Sequence, residues 1–219
     1  MTRGRWFRYA PLLGALFVIL AAAGFLIAGD TPDVKALPPE IQDKYDDEAK
    51  HLIGLYLLTL GAVALLFFAS QLREVLRLLD PIGRLPNAAF AGAITAAVGF
   101  MVAAGIHGAL TEAVHEKTVS GPALQALNVL DNWSFVPFSA GIAVLMIATG
   151  ATIVRVGRLL PVWFGWLAVV IGIIGISPLG FFGFVAAGLW ILALSIMLYT
   201  RWEELHRPAP EPPIAQMPA

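Results

Sequence analysis

The chain has 219 residues, of which 58% are hydrophobic and only 13% are charged, about half the charged fraction of an average soluble domain. This composition favours a protein whose surface largely faces lipid, and the formal net charge of −1 gives no reason to expect a nucleic-acid partner. The chain has no cysteine, which excludes disulfides, zinc–thiolate sites, iron–sulfur clusters and cysteine nucleophiles.

Six apolar segments predict membrane-spanning helices, since about 20 mostly apolar residues cross about 30 Å of hydrocarbon. The predicted spans are residues 10–28, 52–71, 87–107, 134–154, 161–177 and 179–200. The first is longer than the apolar core of a signal peptide and is interpreted as an uncleaved span. We therefore expect an all-α integral membrane bundle over residues 1–207, followed by a disordered proline-rich tail, 208–219. A re-entrant pair is the alternative for the last two spans.

The basic residues predict the orientation of this bundle. Six spans with a cytoplasmic N-terminus place all ten arginines inside and all four lysines outside, which follows the positive-inside rule. The ten acids predicted outside give the outer face a net charge of −6. We expect three in–out hairpins in the plasma membrane, with both termini cytoplasmic.

The two long outer loops carry most of the predicted polar structure. Residues 40–51 contain no helix breaker and predict a helix that runs straight into the second span, continuing to Leu79. The third span is expected to stay helical to about Glu116, and residues 123–130 to form an interfacial helix. Asp131 and Asn132 are positioned to cap the fourth span.

Histidines and acids cluster in these outer segments. His51 and His107 fall at the outer ends of two helices joined on the inner side, and imidazole pairs ligate haem b or transition metals. A metal set of His107, Glu112, His115 and Glu116 is the second hypothesis for this region. The alternative is that these are interfacial polar residues on solvated helix ends with no cofactor at all.

Small and hydroxylated residues within the spans offer two further interpretations. Gly92, Ala96, Gly99 and Ala103 share one face of the third span, which predicts tight packing or a groove for a partner helix or lipid. Intramembrane hydroxyls either line a polar path or bond carbonyls of their own helices; they are Tyr56, Thr59, Thr95, Ser139, Thr149 and Thr152.

The segment from Arg158 to Ala168, followed by Gly188-Leu189-Trp190 and Ser195, combines a basic membrane entry with aromatic anchors. It resembles the C-terminal helices of uncharacterised polytopic membrane proteins of high-GC bacteria. The resemblance implies a helical membrane bundle and carries no catalytic residues with it.

The span interiors contain no Asp, Glu, Lys or Arg, whereas pumps, voltage sensors and ion-coupled carriers place ionisable groups there. The first hypothesis is therefore a non-enzymatic accessory or assembly subunit that acts through membrane-protein partners or a homo-oligomer. A transporter or channel for a small neutral or lipidic solute is the second, and a haem or metal protein with an outer-face site is the third.

Overall fold

A computed structural model describes residues 8–116, 119–157, 160–177 and 179–202. The described chain is all-helical, as predicted, and contains eight α-helices. They are α1 (Leu12–Ala28), α2 (Pro38–Lys44), α3 (Glu48–Leu79), α4 (Leu85–His115), α5 (Gly121–Trp133), α6 (Phe135–Val156), α7 (Val162–Gly175) and α8 (Gly180–Thr200). The predictions for Arg3, Arg5, Lys117, Arg158, Arg207 and the tail 208–219 fall outside the described residues.

Each predicted span coincides with a helix, but the helices differ in length. Over the described residues, four helical stretches are long and apolar enough to cross a membrane: α3, α4, α8 and the run 121–156 that joins α5 to α6. The other two are shorter, with 17 residues in α1 and 14 in α7. At 1.5 Å per residue these two reach about 26 Å and 21 Å.

Glycines and alanines bring α4 and α6 into close contact, which confirms the predicted packing role of the small-residue face. A Cβ atom added at Gly92 would lie 2.5 Å from the backbone nitrogen of Leu145, and one at Gly141 would strike the backbone of Ala96. A Cβ atom added at Gly99 would likewise strike the backbone of Phe138. Only glycine permits backbones to approach this closely, so these positions fix where α6 lies along α4.

The prediction of one unbroken helix from residue 40 to Leu79 is wrong. The chain leaves α2 after Lys44, and α3 begins only at Glu48. The side chain of Asp47 accepts a hydrogen bond from the backbone N–H of Lys50 at 3.2 Å and so caps the start of α3. The break turns the Tyr45 side chain into the protein, where it is fully buried.

The predicted cap of the fourth span is also wrong. α6 follows α5 after the single residue Ser134, whose side chain makes no capping bond. Asp131 lies within α5, and its carboxylate accepts hydrogen bonds from other segments instead. A tertiary interaction therefore replaces the local one that the sequence suggested.

Candidate functional site

A folded polar layer, which we call the cap, covers one end of the bundle, where α3 and α6 begin and α4 ends. The cap consists of residues 29–51, 107–116 and 119–133. It has an apolar core of its own, separate from that of the bundle, made of Ala36, Ile41, Tyr45, Leu110, Val114 and Leu124. The cap is therefore packed onto the helix ends as a defined structure.

One polar face of α5 holds the extended start of the cap in place. Asn128 donates to the carbonyl oxygen of Asp33 at 2.9 Å, and Asn132 donates to that of Pro32 at 2.9 Å. Thr31 donates its hydroxyl hydrogen to Oδ2 of Asp131 at 2.8 Å. Residues 128, 131 and 132 share a face at helical spacing, so a single face of α5 orders the segment after α1.

The cap contains a histidine pair, His51 and His107, the two residues that the sequence singled out. Nδ1 of His51 and Nε2 of His107 are 2.9 Å apart. The second nitrogen of His51 lies 3.2 Å from the carbonyl oxygen of Lys44, and that of His107 lies 3.1 Å from Oδ2 of Asp131. All four ring nitrogens of the pair thus take part in one continuous chain of hydrogen bonds. We call this group, which comprises His51, His107, Asp131 and the Lys44 carbonyl oxygen, the histidine cluster.

Tyr45 closes the histidine cluster from the side of the α2–α3 break. Its ring stacks on His51 with centroids 4.4 Å apart, and its hydroxyl donates to Asp131 at 3.1 Å. Burial, reinforced by the negative charge of Asp131, raises the pKa of the Tyr45 phenol far above its usual value, so Tyr45 acts as a neutral donor.

Burial sets the electrostatics of the pair itself. His51 is 1% exposed, and this burial lowers its pKa because the charged form loses hydration. Asp131 is the single buried acid in the described chain, with a side chain 4% exposed, and the His107 side chain beside it is 12% exposed. The buried carboxylate therefore lies beside His107, at 3.1 Å from its Nδ1.

The other members of the predicted metal set are not brought to this pair. His115 places Nδ1 3.0 Å from the carbonyl oxygen of Thr111 and Nε2 3.1 Å from that of Asp46. Glu112 and Glu116 are exposed. Within the described ranges, no group of three or more His, Asp or Glu side chains is arranged to hold a metal ion.

Haem between His51 and His107 stays a prediction that this arrangement does not favour. Axial ligation from both sides of an iron needs nitrogens about 4 Å apart, if each bond is as long as a zinc–imidazole bond of about 2 Å. The facing nitrogens are 2.9 Å apart and bonded to each other, and the Tyr45 ring covers His51. The rings would have to separate to admit the cofactor.

The intramembrane hydroxyls do not form a shared path where their contacts are described. Thr59, Thr95 and Thr152 each donate to the carbonyl oxygen four residues earlier in the same helix. Tyr56 is 64% exposed on the surface of the bundle. Ser139 lines a small, partly open crevice of about 10 Å³ between α6, α7 and α8, whose other lining residues are apolar or glycine. Three of the six hydroxyl residues therefore bond carbonyl oxygens of their own helices, which was one of the two interpretations.

Sequence reasoning found the two histidines but missed Tyr45 and Asp131 as their partners. Asp131 was assigned to a helix cap because it precedes an apolar run, and Tyr45 lay inside a segment expected to be a solvated helix. The available signal was the row of polar residues 125, 128, 131 and 132 on an otherwise apolar short helix, which indicates a face bound to something polar.

No family model, no curated protein and no solved structure matches this chain. The likeness of its C-terminal helices to uncharacterised bacterial membrane proteins stays a prediction. Function is inferred from the geometry of the cap and the bundle.

Proposed function

We propose that this chain is a six-span plasma-membrane protein whose cap faces the outside and whose termini are cytoplasmic. α1 and α7 are shorter than a bilayer core is thick, but each packs closely along a longer helix. Gly24 of α1 lies against Gly54 of α3, and Gly165 of α7 lies against Gly150 of α6. Short helices paired in this way span lipid by local thinning of the bilayer and by flanking residues that reach to the interface.

The charges at the two ends of the bundle support this orientation. The end opposite the cap carries arginines at the end of α3, at the start of α4 and at the ends of α6 and α8: Arg73, Arg77, Arg84, Arg155 and Arg201. The described part of the cap contains lysine but no arginine and is rich in acids. A cytoplasmic arginine side is the arrangement that the positive-inside rule favours.

Within that topology, we propose a non-enzymatic accessory or assembly subunit that docks through the cap. The observation that supports this proposal is that the folded cap exposes a strongly acidic surface. Nine of its ten acids are exposed together with three lysines, which gives its described surface a net charge of −6. The tenth acid, Asp131, is the one used internally. The exposed acids are Asp30, Asp33, Glu40, Asp43, Asp46, Asp47, Glu48, Glu112 and Glu116.

The partner expected from this surface is a membrane protein with a basic extracytoplasmic face. Complementary charge speeds encounter and excludes partners of the same sign, while packing between the spans supplies the remaining binding energy. The cap suits this role because its own core and the hydrogen bonds between α5 and the segment after α1 hold the acids in fixed positions.

Native mass spectrometry of the full chain in mild detergent tests the proposal. We expect a complex heavier than one chain that dissociates in high salt and is lost in the double variant Asp43→Lys/Asp46→Lys. The matched control, Asp43→Glu/Asp46→Glu, preserves the charge and should preserve the complex. A chain that remains alone at every concentration and salt would contradict docking.

A further inference from the structure

The histidine cluster contains three consecutive contacts, and each needs one hydrogen atom. They join the Lys44 carbonyl oxygen to His51 at 3.2 Å, His51 to His107 at 2.9 Å, and His107 to Asp131 at 3.1 Å. A carbonyl oxygen only accepts, so Nε2 of His51 must carry a hydrogen. The other two contacts then each need a hydrogen of their own.

Two neutral imidazoles supply two hydrogens, and an ionised carboxylate supplies none. We infer that His51, His107 and Asp131 together bind one additional proton, which completes the chain of hydrogen bonds and latches the cap onto α3 and α4. The same three contacts are satisfied whether that proton is assigned to Asp131, to His107 or to His51. In every case the cluster is electrically neutral.

The neutral state fits the burial of the cluster. An ionised carboxylate as buried as Asp131 is costly unless a positive charge or several donors offset it. With the proton bound, Asp131 faces an imidazolium or is itself neutral, and it also receives the hydroxyl hydrogens of Thr31 and Tyr45. Without the proton, one of two contacts loses its hydrogen. Either two nitrogen lone pairs face each other between His51 and His107 at 2.9 Å, or the Nδ1 lone pair of His107 faces the Asp131 carboxylate at 3.1 Å. In the second case the Tyr45 hydroxyl, 3.4 Å from Nδ1 of His107, is the nearest donor.

The groups that face the pair come from every segment packed around it. Asp47 and Lys50 act on His51 from the first turn of α3, with opposite signs. Tyr45 contacts both rings from the α2–α3 break, Thr31 contacts Asp131 from the extended segment, and Thr111 of α4 donates to the His107 carbonyl oxygen. Asp131 from α5 is the charged group in direct contact with the pair.

Proton loss leaves one of two contacts without a hydrogen: the one between His51 and His107, which joins α3 to α4, or the one between His107 and Asp131, which joins α4 to α5. The contact that lacks the hydrogen becomes repulsive, and the cap loses part of its anchor on α4. The cap is therefore expected to loosen as the pH rises and to close as it falls. An opening linked to one proton changes its equilibrium by up to about tenfold per pH unit above the pKa of the closed cluster. This proton-dependent opening of the cap depends on the histidine cluster alone and needs no partner protein.

The first experiment counts the proton directly in the purified full-length protein. Nuclear magnetic resonance of ¹⁵N-histidine and of ¹³C-carboxyl aspartate in detergent reports the protonation of each ring nitrogen and of Asp131 between pH 5 and 9. We expect His51, His107 and Asp131 to gain one proton between them as the pH falls. Two unchanging neutral rings beside an ionised Asp131 across this range would overturn the inference, as would one equivalent of tightly bound transition metal in the same preparation.

The second experiment measures cap opening by hydrogen exchange, corrected for the intrinsic pH dependence of exchange. It is done in a His115→Gln background, which removes the other histidine bonded within the cap. Protection of residues 29–51 should fall by up to about tenfold per pH unit on the alkaline side. Asp131→Asn supplies an amide hydrogen where the proton was needed, so this variant should lose the pH dependence.

Asp33→Asn is the matched control, since it also removes one carboxylate from the cap, but an exposed one. This control should keep the pH dependence of the parent. Equal protection at all pH values in the parent, or an unchanged pH dependence in Asp131→Asn, would overturn the latch. If Asp131→Asn does not fold, the histidine and aspartate spectra of the parent protein decide the matter.

Discussion

The phenol oxygen of Tyr45 lies 3.1 Å from Oδ2 of Asp131, which joins the α2–α3 break to α5 across 86 positions of sequence. The contact depends on the break itself, because a continuous helix through residues 45–47 would not leave Tyr45 stacked on His51. The two residues thus explain why the chain interrupts a helix where no proline or glycine demands it.

Tyr45→Phe tests the energetic value of this contact. The ring stays able to stack on His51, but Asp131 loses one of its hydroxyl donors. Bonds to charged acceptors contribute about 1.5–3 kcal/mol, so we expect a clearly lower thermal midpoint in detergent. Tyr56→Phe is the control, since that side chain is 64% exposed, and it should leave the midpoint nearly unchanged. Equal midpoints for the two variants would contradict the assigned role of Tyr45.

The contacts of His115 predict a second, separate dependence of the protein's stability on pH. This residue ends α4 two helical turns beyond the apolar segment 87–107. Its two ring nitrogens face carbonyl oxygens of Thr111 and Asp46, and both can be satisfied only when the imidazole is protonated. The bond to Thr111, with a further contribution from Asp46, raises the pKa of His115.

Because the folded pKa lies above the unfolded one, the stability from His115 is fully present below the unfolded value of about 6.5. It is lost as the pH rises through the raised folded value. Thermal unfolding of His115→Gln and the parent, compared in the Asp131→Asn background, should differ at pH 5.5 and converge by pH 9. A difference that grows with pH would show the opposite sign and exclude this explanation.

Gly141→Ala is expected to disrupt the contact between α4 and α6. The added methyl group meets the backbone of Ala96 and the carbonyl oxygen of Gly92, and backbone cannot move aside as a side chain can. Overpacking of this kind costs about 1–3 kcal/mol. Gly105→Ala in α4 meets nothing within 4 Å and should be neutral or slightly stabilising. The two midpoints measured side by side in one detergent give the comparison.

A reporter fused after Ala219 tests the proposed topology. A fluorescent protein that matures in the cytosol should be bright there, and a phosphatase active only outside the cytosol should be silent. The phosphatase inserted between Asp33 and Val34, in the exposed start of the cap, should be active. An active phosphatase at the C-terminus would reverse the orientation and move the cap to the cytosol.

The sequence by itself determined that the chain is helical and where the helices of the bundle lie. Apolar segments without charge have one stable conformation in lipid, because every backbone group must find its partner within the segment. The glycine and alanine face of α4 likewise identified the side on which another helix packs closely. These features are local, so hydropathy and helical spacing are sufficient to read them.

Tertiary structure alone decided the rest. Nothing near Tyr45 in the sequence requires a break, and nothing near Asp131 reveals that its carboxylate binds His107 instead of capping α6. Both choices are made by contacts between segments 24 to 100 positions apart, where burying a polar group is favourable only if distant partners arrive together. Local sequence places His51 and His107 at the ends of predicted spans, and only the folded cap brings their facing nitrogens to 2.9 Å.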